Sequence, residues 1–166
     1  MATVTLGGNP VRTSAELPAV GSQAPDFKLT KADLGDVSLA DFAGKKIILN
    51  IFVSIDTGTC ATSVKTFNSK AGGIDNTAVL GVSKDLPFAH GRFCGAEGIE
   101  NVTSLSDLRG SDFGKAYGVL MTDGPLAGLF ARSIVVLDEI GKVVYTELVP
   151  TVSNEPNYEA ALAAVK

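Results

Sequence analysis

Residues Lys45–Ala71 read KKIILNIFVSIDTGTCATSVKTFNSKA, and this stretch decides the fold. It begins with an apolar run that is rich in β-branched side chains and is broken only by Asn50, which is typical of a strand buried on both faces. A tight turn follows, and Cys60–Ala71 then predicts a helix that ends at Gly72. A buried strand followed by a turn and a helix indicates a sheet covered by helices.

Apolar runs and turn residues on both sides of this stretch predict the remaining elements. Further strands are predicted at Phe27–Thr30, Ala78–Ser83, Val102–Ser104, Ser133–Leu137 and Lys142–Leu148. Further helices are predicted at Pro87–Gly95, Ser111–Tyr117 and Tyr158–Val165, with a helical turn at Ser38–Phe42. Thr3–Leu6 and Val11–Thr13 flank a Gly-Gly-Asn-Pro turn and predict a β-hairpin. This order predicts an α/β protein with a thioredoxin-like fold, in which helices flank a central mixed sheet.

Composition and charge narrow the class of protein. The 166 residues are 45% hydrophobic and 19% charged, which predicts a single soluble domain spanning residues 1–166. A net charge of -4, with scattered Lys and Arg, argues against a nucleic-acid partner. The N-terminus lacks the pattern of a secretory signal, and no apolar run is long enough to span a membrane, so we expect a cytoplasmic protein. Neither a CxxC pair nor a Cys/His cluster with metal spacing is present, so no metal or other cofactor is predicted.

Cys60 is the first candidate for chemistry. It follows the predicted buried strand and turn, and it opens the predicted helix, where unpaired N–H groups and the positive end of the helix dipole stabilise a thiolate. Thr57 lies three residues earlier, so its hydroxyl is placed to reach the sulfur and the first helical N–H groups. From position alone, Cys60 is equally well explained as a small buried apolar side chain.

Cys94 is the second candidate, and it lies in Leu86–Gly95, LPFAHGRFCG, within another predicted helix. A sulfenic acid on Cys60 would condense with a nearby thiol to give a disulfide. Closing a loop of this length restricts the unfolded chain by about 3–4 kcal/mol in the entropic model. Two unrelated buried thiols remain the alternative at this point.

The residues around both cysteines match a known family. Ser54–Asn68, SIDTGTCATSVKTFN, resembles the peroxidatic segment of bacterial thiol peroxidases, which are atypical two-cysteine peroxiredoxins. Asp85–Gly98, DLPFAHGRFCGAEG, is similar to their resolving-cysteine segment. Other matching blocks are Gly7–Pro10, Ala116–Val119, Asp123–Ser133 and Glu155–Leu162. The resemblance therefore covers nearly the whole chain in order.

The resemblance implies roles for four residues. Cys60 would be the peroxidatic cysteine, which is oxidised to a sulfenic acid, and Cys94 would resolve it as an intramolecular disulfide. Thr57 would hold the thiolate and the peroxide oxygen. Arg132 would be the cation that stabilises the thiolate and orients the peroxide. The resemblance also implies reduction of hydrogen peroxide and organic hydroperoxides in antioxidant defence, thioredoxin as the reductant, and a homodimer.

One position departs from the family signature. Peroxiredoxins usually carry Pro in the pattern PxxxTxxC, and this chain has Val53 there. Proline fixes φ and lacks an N–H, whereas Val restores a backbone donor at the wall of the pocket. We expect Val53 to leave the protein folded but to slow peroxide reduction or to alter over-oxidation.

Three alternatives to a peroxidase remain open from the sequence. The chain could be a peroxide sensor that passes its disulfide to another protein, or a thioredoxin-like binding module with inert cysteines. A Cys-His hydrolase would depend on His90, the only histidine. We expect His90 to be a surface or packing residue rather than a ligand.

Overall fold

The computed structural model describes residues 1–166 and contains two sheets. Strands β1 to β9 span Thr3–Leu6, Asn9–Arg12, Lys28–Lys31, Asp36–Ser38, Lys46–Ile51, Thr77–Ser83, Thr103–Ser106, Ser133–Leu137 and Val143–Leu148. Helices α1 to α4 span Gly58–Ala71, Pro87–Glu97, Phe113–Ala116 and Tyr158–Ala163, and a 3-10 helix spans Leu39–Phe42. The predicted thioredoxin-like fold, with a mixed sheet flanked by helices and an N-terminal two-stranded sheet, is confirmed.

The main sheet has seven strands in the order β4-β3-β7-β6-β5-β8-β9. Strands β5, β6 and β7 run parallel, and their neighbours are antiparallel. In β5, Ile48 packs into one hydrophobic cluster, whereas Ile47, Leu49 and Ile51 pack into a second cluster. Because successive side chains of a strand point to opposite faces, β5 is buried on both sides, as its sequence predicts.

The carboxyl ends of the parallel strands position the site. Strands β5 and β6 are in register along their length, from Lys46 opposite Thr77 to Ile51 opposite Val82. The loop from β5 to α1 and the loop from β6 to α2 therefore leave the sheet at the same edge. The loops that lead into the two cysteine-bearing helices meet there, where the Asp85 carboxylate accepts from the Ser54 hydroxyl and the Ile55 N–H.

The N-terminal hairpin is joined to the segment that follows β9. Gly7 and Gly8 form its two-residue turn with φ of 57° and 83°, the left-handed conformation that such turns require. The Thr5 N–H donates to the carbonyl of Pro150 at 2.7 Å, and the Val152 N–H donates to the carbonyl of Thr5 at 2.9 Å. The hairpin thus fixes residues 150–152.

Some boundaries differ from the sequence predictions. Helix α2 continues past Gly95 to Glu97, because Gly98 is the residue with the left-handed φ of 63° that ends the helix. Helix α3 is shorter than predicted, and the edge strand β4 was not predicted because three residues carry too little periodicity. None of the helices has the length and apolar character needed to cross a membrane.

Candidate active site

Cys60 lies in the first turn of α1 and is fully buried. The helix begins two residues earlier than predicted, at Gly58, so Cys60 is its third residue. The N–H groups of Gly58, Thr59 and Cys60 make no hydrogen bond within the chain. These donors are the ones that a helix N-terminus leaves free, and they are available to a bound oxygen or to the sulfur.

Arg132 lies against the Cys60 sulfur. Its Nη1 donates to Cys60 Sγ at 3.2 Å, while Nε and Nη2 donate to the carbonyl of Val152 at 3.1 and 3.0 Å. The side chain is only 2% exposed, and no carboxylate lies within ion-pair distance of it. Because a buried cation is costly without a negative partner, this site is suited to a thiolate at Cys60.

Thr57 does not reach the sulfur in this conformation. Its hydroxyl donates to the carbonyl of Ser54 at 2.9 Å, and its side chain is exposed. It is the residue at the N-cap of α1, where its carbonyl accepts from the Ala61 N–H at 3.0 Å. A change of rotamer is therefore needed before its hydroxyl can act on the sulfur.

Cys94 lies inside α2 and is partly buried. Its Sγ is 3.4 Å from the hydroxyl oxygen of Ser104 on β7. Both cysteines are free thiols, and each has a different hydrogen-bond partner. Since a disulfide needs the two sulfurs about 2.05 Å apart, bond formation requires at least one of the two segments to move.

A polar chain beneath α1 holds the backbone of Cys60. The Ser63 hydroxyl donates to the carbonyl of Cys60 at 2.8 Å, and Asn50 Nδ2 donates to that hydroxyl at 3.2 Å. Both side chains are buried, and Asn50 Oδ1 has no partner. In the sequence, Asn50 is visible only as an interruption of an apolar strand, so its role was not predicted.

Asp85 is the centre of a second polar network that sequence reasoning missed. Its carboxylate accepts from the Ser54 hydroxyl at 2.7 Å, the Ile55 N–H at 2.8 Å and the Ser83 hydroxyl at 2.5 Å. The Nε2 of His90 lies 3.8 Å from the same carboxylate. Burial acts to raise the pKa of Asp85, but His90 and these hydrogen bonds outweigh it and lower the pKa well below its usual value.

His90 is fully buried, so of the two roles that the sequence left open, a surface residue or a packing residue, the structure gives the second. Its Nε2 is 2.9 Å from the Ser83 hydroxyl, and its ring packs against Phe52 with 6.3 Å between centroids. The side-chain partners of Cys60 and Cys94 are Arg132 and Ser104. The pairing that a Cys-His hydrolase needs is therefore not formed.

Val53 is 4% exposed and belongs to the same hydrophobic cluster as Cys60. Its N–H makes no hydrogen bond within the chain. The substitution of Val for the usual Pro therefore places an unpaired backbone donor in the segment that leads to Cys60.

One cavity lies away from this site, and the site holds no cluster of metal-ligating side chains. A cavity of about 400 Å³ lies between the 3-10 helix and the turn from β8 to β9, and its lining shares no residue with the surroundings of Cys60. No group of three or more His, Cys, Asp and Glu side chains is placed to hold a metal ion.

The Redoxin family profile matches residues 19–162. The chain belongs to the Redoxin family. This redoxin is 56% identical over 165 residues to a thiol peroxidase of Corynebacterium glutamicum, with 99% of both chains covered. It is 60% identical over 165 residues to a thiol peroxidase of Mycobacterium tuberculosis, again with 99% of both chains covered.

Structural similarity agrees with the sequence similarity. The redoxin matches a crystal structure of a peroxiredoxin-like protein from Aquifex aeolicus with a TM-score of 0.93 at 38% identity, covering 99% of this chain and 96% of that one. The chain is thus a peroxiredoxin-type peroxidase, as its sequence predicts. The alternative of a binding module with inert cysteines is wrong for this redoxin.

Proposed function

We propose that this peroxidase reduces hydrogen peroxide and organic hydroperoxides with Cys60, forms a Cys60–Cys94 disulfide and is recycled by thioredoxin. The observation that supports this most strongly is the buried Arg132 guanidinium, which has Cys60 Sγ at 3.2 Å and no carboxylate partner. Antioxidant defence in the cytoplasm and a homodimer belong to the same proposal and rest on the resemblance.

The first step is attack of the Cys60 thiolate on the peroxide. A sulfur–oxygen bond forms and the oxygen–oxygen bond breaks, so sulfur loses two electrons and the leaving oxygen departs as water or alcohol after taking a proton. The free N–H groups of residues 58–60 and the Arg132 guanidinium can stabilise the negative charge that moves onto oxygen. We propose that Thr57 releases the Ser54 carbonyl and turns its hydroxyl toward the reacting oxygen.

The second step is attack of the Cys94 thiol on the Cys60 sulfenic acid. The sulfur–sulfur bond forms, the sulfur–oxygen bond breaks, and the oxygen leaves as water. Thioredoxin, a dithiol, then opens the disulfide by exchange and becomes oxidised itself.

Steady-state peroxide consumption with excess thioredoxin tests the proposal. We expect Cys60→Ser to abolish turnover, because it removes the nucleophile. We expect Cys94→Ser to consume about one peroxide per chain and then stop, because the sulfenic acid cannot be resolved. Turnover that survives in Cys60→Ser would contradict the proposal. A wild-type protein that is oxidised once but not recycled by thioredoxin would favour the peroxide sensor instead.

A further inference from the structure

The Asp85 carboxylate joins the segments that carry the two cysteines, and an exposed ion pair between Arg92 of α2 and Asp56 is a second link between them. Asp85 Oδ1 accepts from the Ser54 hydroxyl, and Oδ2 accepts from the Ile55 N–H, both in the loop that leads into α1. Asp85 itself lies just before Pro87, the first residue of α2. The Asp85 side chain therefore holds the loop that leads to Cys60 from the base of the helix that carries Cys94.

From Ser54, a chain of hydrogen bonds leads on toward the Cys60 sulfur. The Ser54 carbonyl accepts from the Thr57 hydroxyl at 2.9 Å, and Thr57 is the N-cap of α1. The Ser54 hydroxyl also accepts from the Asp56 N–H at 3.2 Å. Asp85 thus sets the course of the backbone from Ser54 to the first turn of α1, and so the position of Cys60.

The other half of the network reaches into α2. Ser83 Oγ has one proton, and its 2.5 Å contact to the Asp85 carboxylate requires that it donates there. The same oxygen must therefore accept from His90 Nε2, so Nε2 carries a proton. His90 Nδ1 is left without a partner, as the structure shows.

His90 and Cys94 are four residues apart on α2 and share one face of the helix. His90 bonds to Ser83 at the end of β6, and one turn later Cys94 lies against Ser104 on β7. The packing of α2 on the sheet and the hydrogen bonds of Asp85 are thus connected through Ser83 and His90.

We propose that Asp85 is a positioning residue that holds the Cys60 loop in its peroxide-reactive conformation. Loss of its bonds to Ser54 and Ile55 then permits the Cys60–Cys94 disulfide. This inference rests on the proposed two-cysteine reaction. It predicts opposite effects on the two steps, because the bonds that order Cys60 for peroxide must break before Cys94 can attack.

Rapid-quench mass spectrometry of Asp85→Asn, with hydrogen peroxide as the probe, separates the steps, and it suits a chain without tryptophan. Trapped sulfenic acid measured in a Cys94→Ser background reports the first step, and disulfide formed with Cys94 present reports the second. An amide accepts through one oxygen only, so at least one of the three donors loses its acceptor. We expect the first step to slow by about tenfold and the second to speed up several-fold.

Asp107→Asn is the matched control. Asp107 is also a buried carboxylate, but it bonds to Lys84 and Ser111 rather than to the loop before Cys60. We expect this control to lower stability without changing the ratio of the two rates. Ser54→Ala removes one donor to Asp85 and should shift both rates in the directions of Asp85→Asn by smaller factors, even if Asp85→Asn folds poorly.

The outcomes are distinct. Equal slowing of both steps in Asp85→Asn and Ser54→Ala, or rates that match the Asp107→Asn control, would overturn the positioning role. If the wild-type protein forms a sulfenic acid but no Cys60–Cys94 disulfide, the proposed two-cysteine reaction fails first, and the inference fails with it.

Discussion

At the scale of single residues, the contacts of Arg132 give the strongest evidence for a reactive thiolate at Cys60. Its guanidinium uses two nitrogens to grip the Val152 carbonyl and a third to contact the Cys60 sulfur. Such a fork fixes the direction of the donor as well as the charge, which a lysine ammonium does not do. Arg132 can therefore orient a bound peroxide as well as attract the negative charge on the Cys60 sulfur.

Arg132→Lys tests that geometry. The substitution keeps the positive charge but loses the fork between Val152 and Cys60, so we expect kcat/KM for peroxide to fall by about 100-fold. Stopped-flow peroxide reduction measures this. Arg109→Lys is the control, since Arg109 is exposed and pairs with Asp36 at the far edge of the sheet. A rate for Arg132→Lys within twofold of the control would refute the orienting role.

Val53→Pro tests the departure from the family signature. The Val53 N–H makes no hydrogen bond, so removing it costs no protein contact. We expect the variant to fold and to reduce peroxide faster or to change its rate of over-oxidation. Val53→Ala keeps the N–H and serves as the control. If rates of reduction and inactivation in Val53→Pro equal those of wild type, Val53 has no functional effect.

At the scale of elements, the N-terminal hairpin supports the active site from a distance. Thr5 is bonded through its N–H and carbonyl to residues 150–152, and the Val152 carbonyl holds Arg132. The first strand of the chain is thus connected to Cys60 through three successive contacts.

Thr5→Pro tests this support. The Thr5 N–H points away from β2 to Pro150, so proline removes that bond and leaves the β1–β2 ladder intact. We expect a loss of about 1 kcal/mol in the free energy of unfolding and a several-fold fall in peroxidase activity. Thr3→Pro is the control, because its N–H also points away from β2 but has no acceptor on residues 150–152. Equal activity in both variants would contradict the connection.

At the scale of the whole molecule, Asp85 makes the free energy of unfolding depend on pH in the acid range. Its pKa is lowered in the folded state, so its contribution to stability is present above the unfolded pKa of about 4 and is lost as pH falls toward the folded value. The difference in free energy of unfolding between wild type and Asp85→Asn should therefore shrink between about pH 5 and about pH 2. Denaturant titrations across this range measure it, and a difference that stays constant would contradict the assignment.

Much of the fold and one contact of the site, that between Arg132 and Cys60, could be predicted from the sequence. The apolar run before Cys60 defines the central strand, and family motifs point to Cys60 and Arg132. The roles of Asp85 and Asn50 could not be predicted, because their partners are distant in sequence and are chosen by strand register. For Thr57, the motif predicts a contact to the Cys60 sulfur that the rotamer in the structure does not make. A motif gives the residue but not its rotamer. That the chain forms one domain stays a prediction.

The most direct test of the account is the mass of the reduced protein after one equivalent of hydrogen peroxide, followed by alkylation of the remaining thiols. We expect the denatured mass of a single chain with neither cysteine alkylated, and a peptide map in which the segments containing Cys60 and Cys94 are joined. Two alkylated cysteines with the peroxide unconsumed, or a disulfide between two chains, would contradict the account.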